Sequence, residues 1–477
     1  MRVILQILGN LEGYEHVDFY IDDTIEETMK DYFSSQVLAK KSDNSKIIFL
    51  APESLVTGLA NDTAEARKLL SNENDLSDAI LKKLNGKITV KDYEILVIQS
   101  IGMYKDKDKS FQVNFINTAD NIVSSVILDL LEKIENFDEI ILDISTGHNI
   151  YVTFLIDTIR TLIIYFKLRN IMKENSKCPK FKIAYSSPII KSPNAKYPIR
   201  LYDFDERAFF EMRLKSAVKV EALLKDKNAT LEQEIHRTFE KANTLFKELF
   251  NETKKAYDAI RYNTPLTFFD NELISLNINE KEVLNNLKNI LKYIIKDKTE
   301  INENNGEIQI RRLNINRTLL IDILLTLALH SALREFKENL EKSVENLENW
   351  VPVGIIKNTF KNPYTKIGFD LNIRLLERDL TEIDELAQYL KNGEEKSIKE
   401  LQENKEKELQ KHPTNIKKKE GDIVRNFFVH SGLESTLTLV KKINKEGKDE
   451  ILLKYKPERK NDIKKWLENP TLTKSLQ

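Results

Sequence analysis

The sequence predicts an α/β fold followed by an α fold: a doubly wound, Rossmann-like domain with a parallel sheet, then an all-helical connecting region and a C-terminal helical domain. Three observations predict it. Short apolar runs rich in β-branched residues alternate with helical patterns over the first 200 residues. Pro188, Pro193 and Pro198 then interrupt the chain. From Glu206 onward, Lys/Glu-rich segments carry apolar residues at helical spacing.

The runs read as strands are Val3–Leu8, Ile47–Leu50, Ile95–Ile98, Ile140–Ile144 and Phe181–Tyr185. Each is almost unbroken in apolar character, as expected of strands covered on both faces. Helical patterns lie between them, near 24–40, 63–84, 119–135 and 148–170. Strand–helix alternation of this kind gives a doubly wound parallel sheet, which binds ligands beyond the carboxyl ends of its strands. The helix over Tyr151–Phe166 is apolar around much of its circumference, so two sides of it must be covered. The second cover is expected from another domain or, preferably, from the same helix of a second subunit.

Beyond the prolines, helices are predicted over 206–226, 229–262 and 279–297, with a break at Asn263-Thr264-Pro265. Lys298–Gly306 reads as a polar loop. Ile308–Ile310 reads as a short strand or as the lead-in to a helix over Leu319–Leu347. Segments 371–391 and 395–410 are again helical. The domain boundaries expected from this pattern are 1–200, 201–306 and 307–477.

Bulk properties narrow the function. The 74 Lys and Arg residues balance 75 Asp and Glu, for a formal charge of −1. That excludes a generally basic nucleic-acid coat, so any nucleic-acid contact is local. The single cysteine, Cys178, excludes a disulfide framework and a cysteine-based metal site and fits a reducing cytosol, so a cytoplasmic location is expected. The N-terminal apolar run stops at Gly9-Asn10 and is too short for a signal sequence. No uncharged apolar run approaches the roughly 18 residues of a membrane span. The longest candidate, 150–166, is interrupted by Asp157 and Arg160.

Three stretches carry candidate chemistry. Gly9-Asn10-Leu11-Glu12-Gly13 follows a strand and lets backbone approach a ligand, although the G-x-G-x-x-G spacing is absent. Asp143-Ile144-Ser145-Thr146-Gly147-His148-Asn149 runs from a strand straight into a helix. Ser145 or Thr146 can cap that helix, and Gly147 lets N–H groups point outward, which with the helix dipole makes an anion site. A well-capped turn without a ligand would look the same. In the third stretch, 421–432, Arg425, Asn426 and His430 form R-N-x-x-x-H. Gly421 and Asp422 read as the helix start. Asn426 and His430 then share one helix face, while Arg425 stands roughly 140° away from His430, so one copy makes no tight pair of guanidinium and imidazole, whereas two copies facing each other across a two-fold axis could, a first hint of a dimer. This set suits RNA cleavage by the RNA's own 2′-hydroxyl: an imidazole moves protons near neutral pH and a guanidinium holds the charged phosphate. Lys417-Lys418-Lys419, just upstream, is the kind of run that is usually a solvated loop, but it is well placed to hold an RNA backbone.

The order of these features resembles the CARF–HEPN ancillary ribonucleases of type III CRISPR systems. Asp143, Ser145, Thr146, Gly147 and Asn149 match the CARF loop, and Arg425, Asn426 and His430 match the HEPN motif in full. His148 falls where the family pattern is open and receives no role. The resemblance implies a CARF domain over 1–200, a helical connecting domain over 201–306 and a HEPN ribonuclease domain over 307–477. It implies a homodimer or higher even-numbered oligomer that binds a cyclic oligoadenylate, most often the tetra-adenylate, through Gly9, Asn10, Ser145, Thr146, Gly147 and Asn149. The activated HEPN pair would cut single-stranded RNA without metal or other cofactor: His430 as base or acid, Arg425 on the phosphate, Asn426 orienting. The hydroxyls of Ser145 and Thr146 make slow degradation of the activator conceivable, as in some relatives. Two alternatives are a CARF-type transcription regulator whose helical region binds DNA, and a sensor or scaffold without chemistry.

Overall fold

The computed structural model describes residues 1–22, 27–42, 44–173, 178–187, 195–207, 218–304, 306–344, 349–408, 420–445 and 447–469. Two compact units divide the chain. The first comprises Met1–Lys167, Lys177–Phe246 and Lys281–Leu325; the second comprises Leu168–Ser176, Lys247–Glu280 and Thr326–Gln477. The residues expected to form a connecting domain, 201–306, are shared between them.

The first unit is built on an eight-stranded sheet in the order Met29–Asp31, Val17–Ile21, Lys196–Asp203, Lys180–Ser186, Glu139–Asp143, Arg2–Ile7, Ser45–Pro52, Tyr93–Ile98. The last five run parallel, and they are the five that the apolar runs predict. Val3, Ile4, Leu5, Ile47, Ile48 and Ile141 have no exposed surface, as strands sandwiched between helices require. The other three make a mixed edge. Lys196–Asp203 is antiparallel to Lys180–Ser186 and parallel to Val17–Ile21, which is antiparallel to Met29–Asp31. These strands alternate in burial and carry polar residues, so their sequence lacks a continuous apolar run.

Several expected helices are corrected. The pattern at 24–40 is a helix only over Ser34–Lys40, and Met29–Asp31 is a strand; residues 24–26 lie outside the described residues. The pattern at 63–84 is two helices, Thr63–Ser71 and Glu73–Lys83, because Asn72 takes extended backbone and its side chain caps the second by accepting from Asn74 N–H. The described part of 206–226 is loop and a short 3-10 turn at Val220–Leu223. The connecting region is helical as expected, over Ala229–Thr238, Glu240–Arg261 and Glu280–Lys292, but Glu300–Asn304, read as polar loop, is a strand: with Glu307–Arg311 it forms a hairpin in a second sheet that also holds Gln112–Ile116 and Gly102–Tyr104. The stretch Lys417–Lys419, with Pro188 and Pro193, lies outside the described residues.

Helix Asn149–Arg169 buries Leu155, Ile159, Leu162 and Ile163 almost fully within one chain. The second cover expected from another subunit is for these residues supplied by the chain itself. Its length and composition would suit a membrane span, since Asp157 and Arg160 do not disqualify it, but half of its apolar window is buried inside the unit, as in a core helix.

The second unit is mainly helical, as expected of the C-terminal domain, and adds a small sheet. Its helices Arg317–Ser343 (from Thr326), Val353–Ile367 and Asp370–Leu386 accompany a four-stranded sheet ordered Val351–Pro352, Lys448–Tyr455, Thr438–Lys445, Glu395–Ser397. In the hairpin Thr438–Tyr455 the buried residues, Thr438, Val440, Leu452, Leu453 and Tyr455, lie away from the turn, while at the turn end Asn444, Lys445, Lys448 and Asp449 are polar and exposed.

Candidate functional sites

In the first unit, Arg2–Ile7 and Glu139–Asp143 are neighbours, with Gln6 opposite Asp143, so the Gly9 loop and the 144–148 loop leave the sheet side by side. A cavity of about 300 Å³ opens there, lined by Gly9, Asn10, Tyr14, Tyr32, Ser145, Thr146, Gly147 and His148 among others. Asn149 opens the following helix on its exposed side and is not among the lining residues.

The loop is fixed from beneath. Asp143 is buried and accepts from the Ser145 N–H (2.9 Å) and the Ser34 hydroxyl (2.6 Å). Burial pushes its carboxyl above the usual range, against the pull of the hydrogen bonds from Ser145 and Ser34. Thr146 Oγ1 donates to Ile7 C=O (2.7 Å) and accepts from Gln6 Nε2 (2.9 Å). Ser145 Oγ accepts from Ser186 N–H (2.8 Å). Both hydroxyls are therefore tied into the loop's own framework rather than offered to a ligand. The atoms left for an anion are backbone ones: among the described residues no acceptor is found for the N–H groups of Thr146, Gly147, His148 or Asn149. These sit at the start of a 21-residue helix, where the dipole favours negative charge. Tyr14 OH accepts from Gly9 N–H (2.6 Å), and burial pushes its phenol up to about 12, so it stays a neutral wall of the cavity.

Gly147 is the residue this loop cannot replace. Its φ is +99°, and a Cβ would stand 2.7 Å from Ile7 Cγ2 and 2.9 Å from Ile7 Cβ. Ile7 is buried and β-branched and cannot swing away. Gly147→Ala is expected to destabilise the first unit by about 3 kcal/mol, through strain and overpacking together. Chemical denaturation measures it, and an unchanged midpoint would mean that the loop relaxes freely.

In the second unit the R-N-x-x-x-H stretch lies on helix Glu420–Val429. The helix begins before Gly421 and Asp422, which sit in its first turn instead of preceding it. Phe427 anchors it: fully buried, the ring packs on Phe428 (5.1 Å), Trp466 (5.6 Å) and Tyr455 (6.2 Å). Arg425, on another face, is exposed; Asn426 is half-buried. His430 follows the last helical residue, donates its N–H to Asn426 C=O (2.9 Å), and keeps 47% of its side chain exposed. Ser431 (φ +51°) and Gly432 (φ +74°) then reverse the chain, and Gly432 N–H returns to Phe427 C=O (2.8 Å).

Asn426 and His430 share a cleft of about 90 Å³ with Asp379, Glu382, Gln402 and Glu434. Arg425 is not among its lining residues, so one chain brings two of the three motif side chains together. The residue that the sequence did not single out is Asp379, on helix Asp370–Leu386. Its side chain is 4% exposed, with Oδ1 3.8 Å from His430 Nδ1 and 2.8 Å from Arg378 Nη2, and Oδ2 accepting from Ser431 Oγ at 2.6 Å. Burial pushes the Asp379 carboxyl up, but the contacts from His430, Ser431 and Arg378 outweigh it and hold it below the usual carboxylate range. Asp379 is therefore charged throughout the range in which an imidazole titrates. In sequence it sits in Arg-Leu-Leu-Glu-Arg-Asp-Leu, within the helix expected over 371–391, and no spacing links it to the motif 51 positions on.

Comparison with known families agrees with this division. Residues 3–188 match the model for the CARF domain of the CRISPR system endoribonuclease Csx1, and residues 369–458 match the model for its HEPN domain. The cavity loop falls in the first match, and Asp379 and the Arg425–His430 stretch fall in the second; together they cover more than half of the chain. No curated protein matches it. The chain belongs to the CARF–HEPN ancillary ribonucleases of CRISPR systems, with a CARF domain in its N-terminal part and a HEPN ribonuclease domain in its C-terminal part.

Proposed function

We propose that this chain is a single-stranded-RNA endoribonuclease switched on by a cyclic oligoadenylate, most often the tetra-adenylate, and that it works as a homodimer or a higher even-numbered oligomer without metal. The observation that carries the reading is His430, half-exposed beside Asn426 and backed by the Asp379 carboxylate. In the reaction the RNA 2′-oxygen attacks the adjacent phosphorus and the bond to the 5′-oxygen breaks. One proton leaves the 2′-hydroxyl and another reaches the departing 5′-oxygen, giving a 2′,3′-cyclic phosphate and a 5′-hydroxyl. His430 handles one of those protons, Arg425 from a two-fold partner neutralises the phosphorane, and Asn426 orients the phosphate. Proton transfer plus a fixed cation suffices for this step, which is why no metal is invoked.

In the first unit the ring's phosphates would meet the free N–H groups of residues 146–149, with Gly9, Asn10 and Gly147 allowing close approach. A two-fold-symmetric ring suits a site built from two copies. Apolar side chains stand exposed next to each site, Ile150 at 43% beside the loop and Val429 at 49% beside His430, which fits pairing at both. The ring switches the enzyme on if it binds the active arrangement more tightly than the resting one.

The test is cleavage of labelled single-stranded RNA by pure protein, with and without cyclic tetra-adenylate and EDTA. The expected result is cleavage that needs the ring, survives EDTA and leaves a 2′,3′-cyclic phosphate. Abolition by EDTA, or cutting indifferent to every cyclic oligoadenylate offered, overturns the corresponding part.

A further inference from the structure

We propose that Asp379 is a positioning residue for His430, anchored by a buried relay of Tyr364, Asn263 and Ser431 and acting as the counter-charge of the imidazole during RNA cleavage. The proposal rests on the nuclease reading of the same cleft and adds residues drawn from three other segments of the unit.

The relay is continuous. Tyr364 OH donates to Asn263 Oδ1 at 2.8 Å, Asn263 Nδ2 donates to Ser431 Oγ at 2.9 Å, and Ser431 Oγ donates to Asp379 Oδ2 at 2.6 Å. All four side chains are nearly or fully buried. Two of the members, Asn263 (φ +57°) and Ser431 (φ +51°), are non-glycine residues in left-handed backbone, and they are hydrogen-bonded to each other. For serine that conformation is strained, and such strain persists where the surroundings over-determine it. Here it turns the chain directly after His430, so that the carboxylate locked by the Ser431 hydroxyl stands behind the imidazole. A buried carboxylate is costly unless paired and hydrogen-bonded. Asp379 meets that demand with Ser431 on one oxygen and Arg378 and His430 on the other.

With Nδ1 facing Asp379, Nε2 is the nitrogen that His430 can present to RNA. The 3.8 Å separation is an ion-pair distance that closes to a hydrogen bond when the ring becomes an imidazolium. Asp379 keeps its charge and takes no proton in the step; it stabilises the imidazolium that exchanges the proton with the RNA oxygens. The other charged groups near the imidazole are Arg378 and Glu382 on the helix of Asp379 and Glu434 beyond the motif; Arg425, on the motif's own helix, lies outside the cleft lining. Gln402, across the cleft, is uncharged. Among the described residues Asp379 is the carboxylate within ion-pair range of His430.

The test is multiple-turnover cleavage by the full-length, ring-activated protein across pH, with RNA titrated to separate kcat from KM. In Asp379→Asn, kcat is expected to fall about 10- to 100-fold with KM unchanged, as for removed orienting carboxylates elsewhere. The limb of the pH–rate profile that reports imidazole protonation should move to lower pH, which a merely structural role would not do. Ser431→Gly relieves the +51° φ and deletes the relay hydroxyl, so it keeps its fold while lowering kcat in the same direction. A folded Asp379→Asn protein with wild-type kcat and pH profile overturns the proposal. Where that variant does not fold, an unchanged kcat in Ser431→Gly overturns it. His430→Ala separates the two levels: if it cleaves normally the nuclease reading fails, and if it is dead while Asp379→Asn is normal, the positioning role alone fails.

Discussion

Replacing His430 by alanine is expected to slow RNA cleavage by about 100- to 10,000-fold, the usual contribution of a positioned proton-transfer group, while leaving the fold intact. The two expectations come from the same geometry. Nearly half of the His430 side chain faces solvent, so its removal opens no cavity. The backbone bonds through this residue, from its N–H to Asn426 and from Leu433 N–H to its carbonyl, need no imidazole. Asp379 loses one contact but keeps Arg378 and Ser431, so no buried charge is stranded. Melting curves that overlay the wild type, with single-turnover cleavage reduced at least 100-fold at saturating ring and RNA, are the result to expect. Activity within tenfold of wild type would remove His430 from the chemistry and leave the cleft without its proton carrier.

The parts of this molecule that could be read from its sequence are those whose signal is local. Of the five parallel strands, Arg2–Ile7, Ser45–Pro52 and Glu139–Asp143 announce themselves because both faces are buried and must be largely apolar, while Tyr93–Ile98 and Lys180–Ser186 are legible from short apolar runs despite partial exposure. The loop at 143–149 is legible because strand end, cap and glycine are consecutive. The strands that the sequence left open or missed depend on distant partners. Glu307–Arg311 pairs with Gln112–Ile116, with Gln112 Nε2 donating to Glu307 Oε2 across 195 positions, and half of each strand is polar. Val17–Ile21 and Lys196–Asp203 are likewise made strands by each other. The cleft divides the same way. Asn426 and His430 are four apart and visible as a pair, whereas Asp379, Asn263 and Tyr364 reach Ser431 or its partners from 52 to 168 positions away. A positive φ at Ser431 leaves no trace in composition. Ser145 and Thr146 illustrate the converse: the right residue types stood at the right place, but their hydroxyls serve the loop, and the N–H groups without an acceptor among the described residues are those of residues 146–149.

Phe427→Ala should do the reverse of His430→Ala, taking stability and activity down together. The ring has no exposed surface and sits where three elements meet: the helix Glu420–Val429, the strand Lys448–Tyr455 and the helix Lys460–Glu468. Truncating a buried phenylalanine costs about 3–5 kcal/mol in lost burial and residual cavity. The site can collapse only a little, because Gly432 is wedged beside it: a Cβ there would stand 2.9 Å from Tyr455 Oη and 3.0 Å from Thr264 Cβ. Against a typical total of about 5–15 kcal/mol, the loss is a large share of the stability of the domain. In urea unfolding at constant temperature the midpoint should fall with little change in slope. Cleavage should decline even in buffer, because Phe427 holds the carbonyl that receives Gly432 N–H and so sets the turn carrying His430 and Ser431 past Asp379. A cost below about 1 kcal/mol would mean that Trp466, Tyr455 and Phe428 repack into the space, as surface-like positions allow. The placement of the imidazole would then rest on the polar relay alone, and Ser431→Gly rather than Phe427→Ala would become the more damaging change.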